Sequence, residues 1–299
     1  MKITLKGVFP DFLYYLCGVL SHFLILAIML AAIIGDIVGS TREWQNIKSE
    51  DFELLPQGSC FTDDSVMTLA VAQWLMSDPK HSPERLVASM QRLGRLYPNA
   101  GYGGMFSRWL VSDDPGPYNS FGNGSAMRVS PVGLYAKSLN EALMLARISA
   151  YVSHNHPEGI KGAQAIAGCV YLKKTNSEGA HDIIRDFVTN QIGYNLDFNL
   201  DDIRDDYRFD VTCQGSVPIA IKAYLERCDC PAEKALRLAI SMGGDSDTIG
   251  AMTASIVGVG NMGFAGDGFD SDLVNQCRAL MPPDLLDIND RFTAFISQL

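Results

Sequence analysis

Thr62-Asp63-Asp64-Ser65 leading into the apolar run 66–75, and Gly243-Gly244-Asp245-Ser246-Asp247-Thr248 leading into the apolar run 249–259, decide how this chain is read. Each places carboxylates and hydroxyls directly before a stretch long enough for a helix and too apolar to face water. As helix starts they have suitable chemistry, because acidic residues in a first turn lie beside unsatisfied N–H groups and the positive end of the helix dipole. As ligand sets they are equally suitable. Carboxylates crowded into one turn repel one another, a bound cation relieves the repulsion, and an all-oxygen donor set without Cys or His suits Mg²⁺ or Mn²⁺ and not zinc. The two readings are compatible, since a capping carboxylate keeps a free oxygen.

Outward from these clusters, apolar residues recur at spacings of three and four. Ser82-Pro83-Glu84 opens a helix carrying Leu86, Met90, Leu93 and Leu96, and Asn140-Glu141 opens one that runs through Leu143, Ala146 and Ile148 to His154. Residues 160–172 are rich in Ala and Gly and nearly uncharged, which predicts a buried central helix. Further helices are expected over 177–190, 218–227, 231–241, 248–259 and 271–281. No period-two alternation extends beyond four or five residues, so the expected fold class is all-α. With 299 residues and 47% hydrophobic content, one globular domain with a sizeable core is expected. Three irregular stretches, 98–128, 191–217 and 260–270, interrupt the helices, and loops on a helical scaffold are where binding chemistry usually sits. The first is rich in glycines that permit close backbone approach, with Tyr102 and Phe121 available for stacking. The second carries Asp197, Asp201, Asp202, Asp205, Asp206 and Asp210 and reads as a solvated acidic face.

Asp and Glu outnumber Lys and Arg by 34 to 24, a formal charge of −10, and no basic run appears, so binding to a nucleic-acid backbone is not expected. The seven cysteines are scattered, and Cys228 and Cys230 are too close for a CxxC motif, which fits reduced thiols in a cytoplasmic protein. Residues 12–34 form a 23-residue run without Asp, Glu, Lys or Arg, long enough to span a bilayer. Membrane association through this run is disfavoured, because its end leads straight into Gly35-Asp36. Met29 suggests an alternative start, dividing the chain into an apolar extension, 1–28, and a domain, 29–299.

Five blocks together resemble the ADP-ribosylglycohydrolase family: Gly35-Asp36-Ile37-Val38-Gly39-Ser40 with Glu43; Thr62-Asp63-Asp64-Ser65; Gly122-Asn123-Gly124-Ser125-Ala126-Met127-Arg128; Ser153-His154 with Gly162-Ala163; and Gly243-Gly244-Asp245-Ser246-Asp247-Thr248-Ile249-Gly250. The resemblance implies an all-α globule with a binuclear site for two Mg²⁺ or Mn²⁺ at the base of a cleft. It implies Thr62, Asp63, Asp64, Asp245, Asp247 and Thr248 as metal ligands, with Asp36 supporting them. Glu43, Asp63 and Asp64 are the implied catalytic carboxylates. Gly122, Asn123, Gly124 and Ser125 are expected to offer backbone donors to the pyrophosphate of ADP-ribose, with Met127 or Phe121 as apolar contacts and His154 on the substrate. The implied partner is an ADP-ribosylated protein or an ADP-ribose-containing small molecule, cleaved at the anomeric carbon of the distal ribose. Two rival readings stand beside it, a two-metal phosphoesterase and a noncatalytic ADP-ribose-binding or structural relative. Ile219 departs from the acidic residue expected after Pro218, which leaves the role of residues 213–219 open.

Overall fold

A computed structural model describes residues 30–176, 178–259 and 268–299. The expected helix start at Ser177 and most of 260–270 lie outside the described residues, as do 1–29, including the proposed extension and the larger part of the apolar run. Among the described residues no helix is long and apolar enough to cross a membrane, and residues 30–34 are buried in the protein core.

The described residues contain helices and no strand, apart from a lone antiparallel bridge between Gly122 and Thr212. In chain order the helices are α1 (30–39), α2 (Asp63–Ser77), α3 (Pro83–Leu96), α4 (Gly104–Val111), α5 (Ser130–Tyr135), α6 (Leu139–Tyr151), α7 (Pro157–Thr175), α8 (Ala180–Asp186), α9 (Leu200–Ile203), α10 (Cys213–Glu226), α11 (Ala232–Ser241), α12 (Ser246–Val257), α13 (Ser271–Ala279) and α14 (Pro283–Ile296). The apolar character of each helix sets its depth. In α12 every residue is buried, and it packs against α2, α5, α7, α10 and α11. Helix α3 instead buries one face, with Leu86, Met90 and Leu93 inward, as a surface helix does.

Helices α1 and α12 run antiparallel at a separation that glycine alone allows. A Cβ at Gly35 would meet the Gly250 carbonyl at 2.2 Å, one at Gly39 the Ser246 carbonyl at 2.4 Å, and one at Gly258 the Ala31 Cβ at 2.2 Å. This crossing sets Asp36 of α1 beside Asp247 of α12.

Several boundaries differ from the sequence expectations. The helix begun at Asn140-Glu141 ends at Tyr151, before His154. The one expected from Pro218 starts at Cys213, capped by the Thr212 hydroxyl, which accepts from Gly215 N–H at 3.1 Å. Pro218 therefore lies inside α10, where its missing N–H leaves the carbonyl of Gln214 without its usual partner. The segment expected as a helix over 177–190 is α8 followed by a π-helical turn, Phe187–Ile192, closed by Gly193 at φ 82°. Helix α4 occupies part of the stretch 98–128, and α9 with the first turn of α10 part of 191–217. Helix α13 ends at Ala279, two residues earlier than expected. Helices α1, α5 and α14 were not anticipated.

Candidate active site

The fold brings the two acidic clusters together. Thr248 Oγ1 donates to Asp64 Oδ2 at 3.2 Å, bridging residues 184 apart in sequence. Carboxylate oxygens of Asp36, Asp64 and Asp247 lie within 4.8 Å of one another, as do those of Glu43, Asp245 and Asp247. Asp247 belongs to both groups.

Each cluster has its own scaffold. Thr62 is the N-cap of α2, its Oγ1 accepting from Asp64 N–H at 3.3 Å and donating to Asp36 Oδ1 at 2.7 Å. Asp36 is the organiser. Its other oxygen accepts from Thr62 N–H at 2.9 Å and Ser65 N–H at 3.1 Å, and also from the Ser65 hydroxyl. On the other side Gly243 and Gly244 adopt φ 68° and 73°, a left-handed pair that side chains oppose. They turn the chain sharply into α12 and present Asp245 at its N-cap. The Asp245 side chain makes no cap hydrogen bond; it accepts from Asn123 Nδ2 at 2.7 Å instead. The capping reading therefore applies to Thr62 and not to the carboxyl of Asp245. Asn46 clamps this turn to the Glu43 segment: Oδ1 accepts from Gly244 N–H at 2.7 Å, and Nδ2 reaches the carbonyls of Arg42, Glu43 and Gly244 at 2.7, 2.8 and 3.1 Å.

The electrostatics are those of crowded, dehydrated carboxylates. Burial pushes Asp64 and Asp247 well above the usual carboxylate range, and neighbouring carboxylates add to it. Burial raises Glu43 to about 7, with the charge of Asp245 next in importance. Asp63, Asp245 and Asp36 are raised as well, in each case first by burial, and hydrogen bonds from Ser65 and Thr62 partly offset this at Asp36. Asp64 Oδ1 is buried and has no hydrogen-bond partner among the described residues. A buried carboxylate oxygen left unpaired beside other carboxylates fits an oxygen-ligated divalent cation.

These groups line one cleft with a volume of about 560 Å³, within the range of small-molecule sites. Glu43, Thr62, Asp63, Asp64, Asp245, Asp247 and Thr248 line it, together with Gly122, Asn123, Gly124, Met127 and His154. Asp63 belongs to neither three-carboxylate group but lines the same cleft, near enough to Asp36, Asp245 and Glu43 to feel their charge, and its backbone N–H donates to the Ala100 carbonyl at 2.7 Å. Ser125 is not in the wall. It is fully buried in a single 3₁₀ turn, Asn123–Ser125, with its hydroxyl on the Gly159 carbonyl at 2.7 Å.

The expected backbone donors also need correction. Gly122 N–H donates to Ser120 Oγ at 3.1 Å and Asn123 N–H to the Val211 carbonyl at 2.8 Å, so neither is free for a pyrophosphate. Gly122 and Gly124 instead provide room, since Cβ atoms there would meet His154 Nε2 at 3.6 and 3.2 Å. Trp44, Phe209 and Val211 complete the mouth, the two rings stacked at 5.5 Å between centroids. Nothing in the acidic stretch 191–217 marked Phe209 or Val211 as wall residues. The central place of Asp36 did have a signal, a lone carboxylate between two glycines in an otherwise apolar run.

The pattern of residues that defines ADP-ribosylglycohydrolases matches residues 23–294. The chain belongs to the ADP-ribosylglycohydrolase family. Among curated relatives, a protein of Archaeoglobus fulgidus is 27% identical over 275 residues, covering 79% of this chain and 87% of its own length. The mouse ADP-ribosylhydrolase ARH3 is 26% identical over 302 residues, covering 77% of this chain and 81% of its own. Among solved structures, an ADP-ribosylglycohydrolase-related protein complex superposes with a TM-score of 0.61 at 21% identity, covering 91% of this chain and 99% of that one. That likeness concerns the all-α family fold, on which the acidic cleft described above is built.

Proposed function

We propose that this protein is a metal-dependent hydrolase that cleaves the bond at the anomeric carbon of the distal ribose in ADP-ribosylated protein or a small ADP-ribose derivative, releasing ADP-ribose. The observation that carries the reading is the floor of the cleft, where Glu43 and the carboxylates at the starts of α2 and α12 converge around Asp247, with Asp36 of α1 buried beside them, in a chain of this family. The name of the mouse relative supports the substrate class. Thr62, Asp63, Asp64, Asp245, Asp247 and Thr248 would hold two Mg²⁺ or Mn²⁺, with Asp36 orienting Thr62. Bound there, the cations would supply Lewis-acid binding of ribose hydroxyls and a lowered pKa for a water.

The chain's own residues divide the remaining work. Glu43 is half-buried at the cleft margin beside Asp245 and Asp247. It is the carboxylate assigned to move a proton, giving it to the leaving atom on the anomeric carbon or taking it from the attacking water. The surrounding carboxylates favour positive charge developing on the sugar. Met127 and the aromatic mouth would offer the bound ligand apolar walls, and His154 faces the glycine turn where the diphosphate and ribose would lie.

A hydrolysis panel of Arg-, Ser- and nucleotide-linked ADP-ribose, with Mg²⁺, Mn²⁺ or chelator, tests the proposal. Release of free ADP-ribose that chelator abolishes and Asp247→Ala eliminates is the expected result. AMP as product would indicate a phosphoesterase, and no product from any linkage would leave a binding or structural relative.

A further inference from the structure

Arg128 is a buried cation without a carboxylate partner. It is 1% exposed, and among the described residues it forms no ion pair. One guanidinium nitrogen donates to the Ser149 carbonyl at 2.6 Å and to Ser153 Oγ at 2.9 Å, while the Phe106 ring lies 5.8 Å from its centre. Ser153, fully buried, is in turn 2.8 Å from His154 Nδ1. Arginine can only donate, so one lone pair of the Ser153 oxygen is occupied by Arg128.

That leaves the hydroxyl proton. Among the described residues His154 Nδ1 is the remaining partner of Ser153 Oγ, and Nδ1 can accept only if the ring proton sits on Nε2. The opposite tautomer would direct two donors at Ser153 and leave its own proton buried without an acceptor, which disfavours that state by about 5- to 150-fold. The imidazolium carries the same penalty, and burial and the nearby Arg128 charge hold His154 well below the usual histidine range. Around the ring stand Tyr118 and Phe106, at centroid distances of 5.7 and 6.4 Å, neither of which could neutralise a second positive charge. No acceptor among the described residues takes the Nε2 proton. The nitrogen faces Gly124 at the cleft wall.

We propose that Arg128 and Ser153 are positioning residues that lock His154 as the neutral Nε2–H tautomer, so that it donates to a diphosphate or ribose oxygen of ADP-ribose. The ligand rests on the function proposed above, whereas the lock is a property of the protein alone. Long-range ¹H–¹⁵N spectra of the histidine rings in the full chain at pH 7.5, with His154→Gln to identify the signal among five histidines, read the tautomer directly. The expected spectrum shows Nε2 protonated and Nδ1 as an acceptor, and in Ser153→Ala the two nitrogens shift towards a tautomer average. Titration with ADP-ribose is expected to show an affinity about 3- to 10-fold weaker for Ser153→Ala, with Mn²⁺ affinity unchanged.

A wild-type ring protonated on Nδ1 or on both nitrogens overturns the lock. So does a Ser153→Ala spectrum identical to wild type, or equal ADP-ribose affinity once the tautomer has shifted. Wild-type protein that binds no ADP-ribose refutes the functional reading and the ligand assigned to His154, and the spectra then judge the lock separately.

Discussion

Replacing Gly39 with Ala tests whether the α1–α12 crossing builds the site. The added methyl would lie 2.4 Å from the Ser246 carbonyl and 2.5 Å from Asp247 Cα, where ordinary contact begins at 3.4 Å. Both obstacles are backbone, so no side chain can rotate away and the helices must separate by roughly 1 Å. Overpacking of this kind costs about 1–3 kcal/mol, which for a domain of this size lowers the melting temperature by about 2–12 °C. The same displacement carries Asp36, and the Thr62 that it orients, away from Asp247 by several times the ~0.2 Å that coordination in the proposed metal site would tolerate. Mn²⁺ affinity measured by calorimetry is therefore expected to fall by at least about 10-fold. Gly116→Ala is the control, because nothing lies within 4 Å of a Cβ at that position. A Gly39→Ala protein that melts with wild type in EDTA and binds Mn²⁺ equally well would refute the claim that this crossing sets the ligand geometry.

Three further outcomes follow from the same geometry. Asp64→Asn should abolish divalent-metal binding by calorimetry yet raise metal-free stability at pH 8, since burial and the neighbouring carboxylates make the charged form of Asp64 unfavourable in the folded state. A variant destabilised in EDTA would show that Asp64 is structural. The pH dependence has a definite sign. Carboxylates whose folded pKa is raised, Glu43 to about 7 among them, make the native state bind more protons than the unfolded chain above pH 4–5, so stability falls as pH rises. His154, neutral in the folded protein, contributes an opposing rise in stability near pH 6.5 that fades by pH 8 as the unfolded histidine also loses its proton, and the several raised carboxylates outweigh it. Denaturant unfolding in EDTA should lose stability across that window, and saturating Mg²⁺ or Mn²⁺ should flatten the profile. Asn46→Ala removes the clamp on Gly244 and should cost about 1–3 kcal/mol, with hydrogen exchange accelerating at residues 42–46 and 243–245 together; acceleration at one segment alone would contradict the clamp.

Much of the fold was legible because the apolar spacing of α2, α3, α7, α11 and α12 agrees with their burial. Where it failed, a specific contact won. Pro218 signalled a helix start, but Thr212 offered a better cap six residues earlier, and the helix ran through the proline. Helix α1 was hidden because its apolar run reads equally as a membrane segment until the glycine spacing at 35 and 39 is matched with Gly250 and Ser246. The acidic clusters were visible as helix starts, yet the separation of Asp63 from Asp64 was not, because it depends on which side of the first turn faces α12. Ser125 and the N–H groups of Gly122 and Asn123 were misjudged for one reason. A glycine-rich turn looks unpaired in sequence, and here Ser120, Val211 and Gly159, from three separate segments, use its donors.

The hydrogen bond from Thr248 to Asp64 spans 184 positions, and that separation has a consequence for how the protein is made. Closing so long a loop costs conformational entropy that grows with the logarithm of its length, and the cost is recovered only when the far segment arrives. During synthesis Thr62, Asp63 and Asp64 emerge first, without Asp245, Asp247 and Thr248. On the nascent chain a cation of the proposed site would therefore meet only the first half of its ligands. The proposed metal site is complete only in a molecule already closed, so in refolding experiments Mn²⁺ uptake is expected to trail the recovery of native structure.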